Sequence, residues 1–329
     1  MEIAKLVKET FTKFPKLAQK ASVAYPKFVK VVEVSPRDGL QNEKTWVPTE
    51  TKINLINKLS DSGLRVVEAT SFVSEKAIPQ MKDNSEVLAG IIRKEGISYP
   101  VLVPNIKGME SALKQNVKEI AVFGAASEAF TQKNIKCSIE ESLKRFEDVI
   151  AIAKRESIKV RGYVSCVMGC PYEGEIDPRL VNTVAQKLLD MGCYEISLGD
   201  TIGIGTPDKT YEMLQAVKID RSILAAHFHN TYNRAIQNLV IALSEGISIV
   251  DSSVAGIGGC PYAKGASGNV PTEDILFLCE LLGIEHGVDI PKLIEVGDYI
   301  STELKRENLA RVKIADLENV QSYRNELFQ

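Results

Sequence analysis

The chain has no surplus of basic residues: 40 Lys and Arg against 43 Asp and Glu leave a formal net charge of −3 at pH 7. That balance lacks the electrostatic footprint by which proteins hold phosphate backbones, and excludes nucleic acid as the principal partner. No apolar run approaches the roughly 20 residues that cross a bilayer, so no membrane span is expected. No glycine-rich dinucleotide fingerprint follows the first β-rich run, which argues against a doubly wound nucleotide-binding sheet. The six cysteines, at positions 137, 166, 170, 193, 260 and 279, contain no zinc-type C-x-x-C pair. No secretory signal is visible, so they read as reduced thiols. Cys166 and Cys170 are spaced C-x-x-x-C, which has little metal-site specificity, and Cys193 and Cys279 lie in apolar runs and are expected in the core. Histidine is scarce, with three in 329 residues, so two of them close together carry information.

What is present is the composition of an ordinary globular chain, 25% charged and 44% hydrophobic. The first thirty residues hold seven lysines and no arginine. Ile3, Leu6, Val7, Phe11, Phe14 and Leu17 fall at helical spacing, predicting an amphipathic helix over the barrel floor. Glu2 and Glu9 are out of keeping with an acid-poor transit peptide, so a cytoplasmic location is expected, with the mitochondrial matrix as the alternative.

From residue 31 onward, eight β-rich runs alternate with helical patterns: "VVEVSPRD", "RVVEATSF", "YPVLVPN", "EIAVFGAA", "VRGYVSCV", "YEISLGDT", "LAAHFHN" and "SIVDSSVAG". Thr49 is expected to cap the first helix and Gly63 to close it. Ser138 with Glu141 reads as a capping box. Asp177-Pro178 and Thr206-Pro207 place a cap before a proline, and Gly192 and Gly246 stand where helices should stop. Eight β/α units in about 250 residues is the count of an α/β (β/α)8 TIM barrel. The domains expected are an N-terminal extension over 1–30, a barrel over 31–286 and a C-terminal extension of one or two helices over 287–329.

Barrel chemistry belongs at the C-terminal ends of the strands, and polar residues cluster there: Arg37, Asp38, Glu68, Asp200, His227 and His229. His227 and His229 are two residues apart on a strand, so both imidazoles face the barrel mouth, as a ligand pair for a metal would. Asp38, at the end of the first strand, beside the eighth and near the seventh around the ring, is the natural third ligand, and Arg37 supplies a fixed planar cation. Two imidazoles and a carboxylate without thiolate suit a divalent cation. Mg²⁺ or Mn²⁺ fits best if Asn269 adds an amide oxygen, and ligand type alone leaves Zn²⁺ open. Glu68 and Asp200 can orient the site from behind. The stretch "GGCPYAKGASGN" at 258–269 follows the eighth strand, so it lies over the mouth. Its glycines allow closure over a substrate, and Cys260 would then enter as a proton donor or acceptor. By composition alone a phosphate-binding loop is an equal reading.

"VEVSPRDGLQNEK", "EATSFVS", "EISLGDTIGIGTP", "HFHNTYN" and the 258–269 loop together resemble the 3-hydroxy-3-methylglutaryl-CoA lyase family over about residues 30–290, in family order. The resemblance implies a metal-dependent TIM barrel that cleaves (S)-3-hydroxy-3-methylglutaryl-CoA to acetoacetate and acetyl-CoA, as in leucine degradation and ketone-body formation. It implies Asp38, His227, His229 and Asn269 as metal ligands, and Arg37 as enolate stabiliser and, with Gln41, substrate contact. It also implies Cys260 and His227 in proton transfer, Glu68 and Asp200 in support, and a homodimer. Two positions depart: the family commonly has Asp after the second histidine and Gly three residues later, where this chain has Asn230 and Asn233. The alternatives are a lyase for a longer 3-hydroxy-3-alkylglutaryl-CoA, a condensing synthase of the isopropylmalate or homocitrate type, and a catalytically idle barrel used as a scaffold.

Overall fold

In a computed structural model, which describes residues 1–18, 23–258 and 268–328, every sheet pairing is parallel. The strands are β1 (Lys30–Glu33), β2 (Val66–Val67), β3 (Thr70–Ser71), β4 (Val101–Leu102), β5 (Glu119–Ala125), β6 (Lys159–Ser165), β7 (Glu195–Asp200), β8 (Leu224–Phe228) and β9 (Ile249–Ser252). Their order is β2-β1-β9-β8-β7-β6-β5-β4-β3. The two ends of that order, β2 and β3, are successive pieces of one run. Val66 and Val67 pair with β1, while Thr70 and Ser71 pair with β4. The expected second strand therefore has β1 along one edge and β4 along the other and closes the ring. Successive N–H groups alternate between the two neighbours: Val67 donates to Ser98 (3.0 Å), Glu68 to Glu33 (2.8 Å) and Ala69 to Pro100 (2.9 Å).

Each strand run leads into a helix, and most of the expected stops hold. Ser138, Asp177 and Thr206 accept from the first-turn N–H groups of Glu141, Arg179 and Lys209, and Gly192 and Gly246 take positive φ of 112° and 91°. Thr49 does not cap. It is the first residue of its helix (Thr49–Asp61), Pro48 holds the cap position, and the Thr49 hydroxyl bonds Asp83 instead (2.8 Å). A cap needs its oxygen turned back on the first turn, and here a tertiary partner takes it.

The N-terminal helix Glu2–Lys13 buries Ile3, Val7, Thr10 and Phe11. Its partners are the ring helices Ala235–Ser244 and Thr272–Leu282 and the C-terminal helix Val320–Leu327, so it lies on the flank of the ring rather than on the floor. The C-terminal region contains three helices, Ile290–Glu303, Ile314–Leu317 and Val320–Leu327, where one or two were expected. Cys193 and Cys279 are buried, as are the other described cysteines, and all of these are free thiols. Cys260 and the rest of 259–267 lie outside the described residues.

TIM barrels usually fill their interior with layers of branched apolar side chains. Here Val32, Val34, Val66, Ala225 and Ile249 form one such cluster, but fully buried charge is also present. Arg161 on β6, Glu195 on β7 and Asp251 on β9 are at most 2% exposed. Arg161 reaches Glu195 at 2.6 Å and Asp251 at 2.6 and 3.0 Å. Buried ions persist only when paired and hydrogen-bonded, and these are.

Candidate active site

The segment after β1 turns at once. Ser35–Gly39 forms one wide π-helical turn, and the N–H groups of Arg37, Asp38 and Gly39 all converge on the Val34 carbonyl. This turn packs against the residues following β9. A Cβ on Gly39 would meet the Ile257 side chain at 2.9 Å and the Ser253 hydroxyl at 3.0 Å, so only glycine permits the approach. Gly258, at φ +126°, is constrained likewise, its missing Cβ lying 2.8 Å from the Asn269 amide. Two buried carboxylates hold the approach to the 259–267 segment. Glu33 accepts from Val254 N–H (3.0 Å) and the Thr272 hydroxyl (2.6 Å), and Glu273 accepts from Ala255 N–H (3.0 Å). Beyond it, Asn269 bridges to His229, and Asn230 N–H donates to the Gly268 carbonyl (2.7 Å). The 258–269 stretch is thus rooted beside Asp38 at one end and His229 at the other.

Arg37 is 5% exposed and makes two carboxylate contacts. Its Nε and Nη2 donate to Glu68 Oε2 at 2.8 and 2.7 Å, and its Nη1 to Asp38 Oδ1 at 2.6 Å. The guanidinium also lies over the Tyr163 ring, 5.3 Å from its centre, and the Tyr163 hydroxyl donates to Glu68 Oε2 (3.1 Å). Burial pushes Glu68 up and Arg37 pulls it back only in part. Burial would raise Asp38 as well, but Arg37 and then the two imidazoles hold it at about 2, so it is anionic. Gln41, expected on the substrate, donates to Asp38 Oδ1 (2.9 Å) and lines the cavity beside it.

Asp38, His227 and His229 come together as the spacing required, with their ligand atoms all within 4.8 Å of one another. His227 Nδ1 is bound to Asp251 Oδ2 at 3.1 Å, leaving Nε2 toward Asp38 Oδ2 at 3.9 Å. That gap is too long for a hydrogen bond. Burial and His227 hold His229 down at about 4, so it is neutral, the form that ligates. Its buried Nδ1 has no hydrogen-bond partner among the described residues. The donor set fits a divalent cation. Asn269 also reaches the cluster, with its amide nitrogen on Asp38 Oδ2 (2.8 Å). Ligation would need the amide turned to present its oxygen.

Asp200 ends β7 but touches neither Arg37 nor the histidine side chains. It is buried, accepts from Gly205 N–H (2.8 Å), and holds the 201–205 turn against β8. Burial raises it to about 6 despite the backbone donors. In the fold it binds its proton more tightly than in the unfolded chain, so its stabilising contribution is complete below the unfolded value near 4. That contribution is lost as pH rises through about 6. Asp200→Asn is therefore expected to melt higher than wild type at pH 8, with the difference shrinking toward pH 5, as read by thermal denaturation at both pH values. Equal shifts at both would show that the buried charge costs nothing.

A cavity of about 390 Å³ opens beside the cluster, within the range of small-molecule sites. Its far wall is apolar, with Leu102, Phe123 and Phe130, and its metal end is polar. Tyr163, Asp251 and Arg161 were not picked out from the sequence. The signal was there: Arg161 and Asp251 are charges inside runs read as buried strands, and Tyr163 shares the Arg161 face two residues on. The Asn233 departure has a local cause. Its φ of 58° is the left-handed region, which Asn tolerates best after Gly, and its side chain accepts from Arg311 (2.7 Å).

A closed parallel barrel with an Asp-His-His cluster that could hold a metal ion, and a buried arginine, at the strands' C-terminal ends defines the class: a TIM barrel with a candidate metal site. A family model described as HMGL-like matches residues 28–300. The chain is 58% identical over 289 residues to the mitochondrial hydroxymethylglutaryl-CoA lyase of Rattus norvegicus, covering 87% of this chain and 89% of that one. It is 56% identical to the cytoplasmic 3-hydroxy-3-methylglutaryl-CoA lyase of Danio rerio, covering 89% and 88%. A crystal structure of hydroxymethylglutaryl-CoA lyase from Pseudomonas aeruginosa superposes with a TM-score of 0.87 at 52% identity, covering 90% of this chain and 99% of that one. The chain belongs to the HMGL-like family, on the HMG-CoA lyase branch that the resemblance pointed to.

Proposed function

We propose that the protein is a carbon–carbon lyase that cleaves (S)-3-hydroxy-3-methylglutaryl-CoA to acetoacetate and acetyl-CoA with a divalent cation, Mg²⁺ or Mn²⁺. The observation that carries it is the cluster itself, in which a neutral His229, an imidazole aimed by Asp251 and an anionic Asp38 meet beside a buried arginine. Asp38, His227 and His229 would hold the cation, with Asn269 as the fourth protein ligand. Bound there, it supplies Lewis acidity toward the tertiary hydroxyl, whose own pKa lies far above 7.

The remaining chemistry falls to the chain. The C3 hydroxyl loses its proton, its oxygen becomes the ketone of acetoacetate, and the C2–C3 bonding pair passes into the thioester enolate. Arg37 is held by Glu68 and Asp38 before any charge develops, so it meets the enolate oxygen without reorganisation. Cys260 is assigned to take the C3 hydroxyl proton and return it to C2, completing acetyl-CoA; His227, with Nδ1 on Asp251 and Nε2 toward the cation site, has no nitrogen free for it. Glu68 and Asp200 act by holding Arg37 and the 201–205 turn, and Gln41 by steadying Asp38 at the substrate's edge. Asn230, whose side-chain oxygen accepts from Ala235 N–H (3.3 Å), and Asn233 are read as tuning the site rather than ligating.

The barrel is taken to span 31–286 between an N-terminal extension over 1–30 and a C-terminal extension over 287–329. Cytoplasmic residence is proposed, with the mitochondrial matrix as the alternative, on the acidic Glu2 and Glu9 of the first helix; relatives are named for both compartments. A homodimer is proposed on the family resemblance and would be read by sedimentation.

A coupled assay of acetoacetate release tests the function. Turnover is expected with Mg²⁺, to vanish on chelation, and to fall by two or more orders of magnitude in Cys260→Ala. Release from a longer 3-alkyl homologue in preference to this substrate would shift the assignment to that acyl chain.

A further inference from the structure

We infer that Asp251 is a positioning residue for the metal, fixing His227 in the one tautomer that can ligate, and that Arg161 and Ser197 fix Asp251 in turn. The inference rests on the proposed metal site and goes beyond it to the layer below.

Asp251 is the charged residue of β9, fully enclosed under the cluster. Its Oδ2 receives Arg161 Nη1 (3.0 Å), the Ser197 hydroxyl (2.8 Å) and His227 Nδ1 (3.1 Å), while Oδ1 receives Arg161 Nη2 (2.6 Å). Arg161 is itself pinned by Glu195 (2.6 Å), and Glu195 by Lys30 at the start of β1. The result is a chain of alternating charges on five strands, β1, β7, β6, β9 and β8, ending on the imidazole. Two features make it directional. Arg161 and Ser197 can only donate to Oδ2 in this geometry, because a guanidinium has no acceptor and the carboxylate has no hydrogen to give. Oδ2 is therefore an acceptor, and His227 must present Nδ1–H to it. The lone pair then falls on Nε2, the nitrogen that faces Asp38. Carboxylate–histidine pairs of this kind set the tautomer and basicity of metal ligands in general.

Replacing Asp251 with Asn tests this without altering shape. Whichever way the amide turns, its NH2 opposes an Arg161 N–H, and the neutral oxygen left to accept at the Oδ2 position holds the Nδ1–H form less firmly than the carboxylate does. Mn²⁺ affinity, measured by calorimetry with the metal alone, is expected to fall about 10- to 100-fold in Asp251→Asn. In Ser197→Ala, which deletes one hydrogen bond and leaves Arg161 paired, the loss should be smaller, under about 10-fold. Because there are three histidines, the imidazole nitrogens can be followed individually by ¹⁵N NMR. Metal-free wild type at pH 8 is expected to show His227 as Nδ1–H, against the Nε2–H form that free imidazoles favour. The NMR arm needs no variant, so it stands even if Asp251→Asn fails to fold. Wild-type Mn²⁺ affinity retained in Asp251→Asn, or an Nε2–H tautomer in wild type, would overturn the inference while leaving the lyase reading intact. Failure of wild type to bind Mn²⁺ would remove the metal site and the inference together.

Discussion

Arg37→Gln should lose about 10³-fold in kcat while binding Mn²⁺ within about tenfold of wild type. The expected loss follows from what Arg37 touches. A preorganised donor at a developing oxyanion is worth about 3–4 kcal/mol in related acyl chemistry, which is two to three decades of rate. Glutamine is neutral and too short to span from the Ser35–Gly39 turn to Glu68, Asp38 and an enolate at once, so several hydrogen bonds go together. The fold should survive because Glu68, already raised by burial, takes a proton once its cation is gone. The split between rate and metal affinity is the discriminating readout. A purely structural arginine would loosen Asp38 and lower both together, whereas a donor used in the transition state lowers kcat first. A loss under tenfold would end the assignment of Arg37 to the reacting oxygen.

Asp38→Asn is expected to have the larger effect, with metal-dependent turnover down by more than about 10³-fold and Mn²⁺ affinity by more than about 100-fold. The cluster's single anion lies against Arg37, and the same carboxylate supplies the Oδ2 that stands 3.9 Å from His227 Nε2. Without it, only neutral donors remain to hold the dication, and the Arg37 guanidinium repels it. The change is isosteric, and Asn can still accept from Arg37 and Gln41, so secondary structure should hold. Calorimetric Mn²⁺ binding equal to wild type would place the cation elsewhere.

How far the sequence could be read depended on whether the physics was local. Strand runs and cap residues are local, and seven of the eight runs appear as single strands at the expected places. The remaining run, "RVVEATSF", is broken into Val66–Val67 and Thr70–Ser71, whose ladder pairings lie with different neighbours, β1 and β4, and no local pattern records that division. Thr49 failed as a cap for a similar reason, since Asp83 offered its hydroxyl a better partner from 34 residues away. The first helix was legible from its apolar spacing, but its place on the flank was set by which neighbours had uncovered apolar surface.

At the site, His227 and His229 needed only the two-residue period of a strand, and Asp38 and Arg37 only the rule that barrel chemistry lies at strand ends. Those residues, and with them the family, were determined by the sequence alone. What the tertiary structure decided is which atom of each residue is available. It turned His227 Nε2 toward Asp38 by placing Asp251 behind it, put Asp200 on a backbone turn rather than beside the cluster, and set the Asn269 nitrogen on Asp38. Arg161 and Asp251 are 90 residues apart in the chain and meet only inside the closed barrel. Their pairing is a property of the closed ring: low dielectric surroundings force buried charges to find one another, and no local pattern records which ones will.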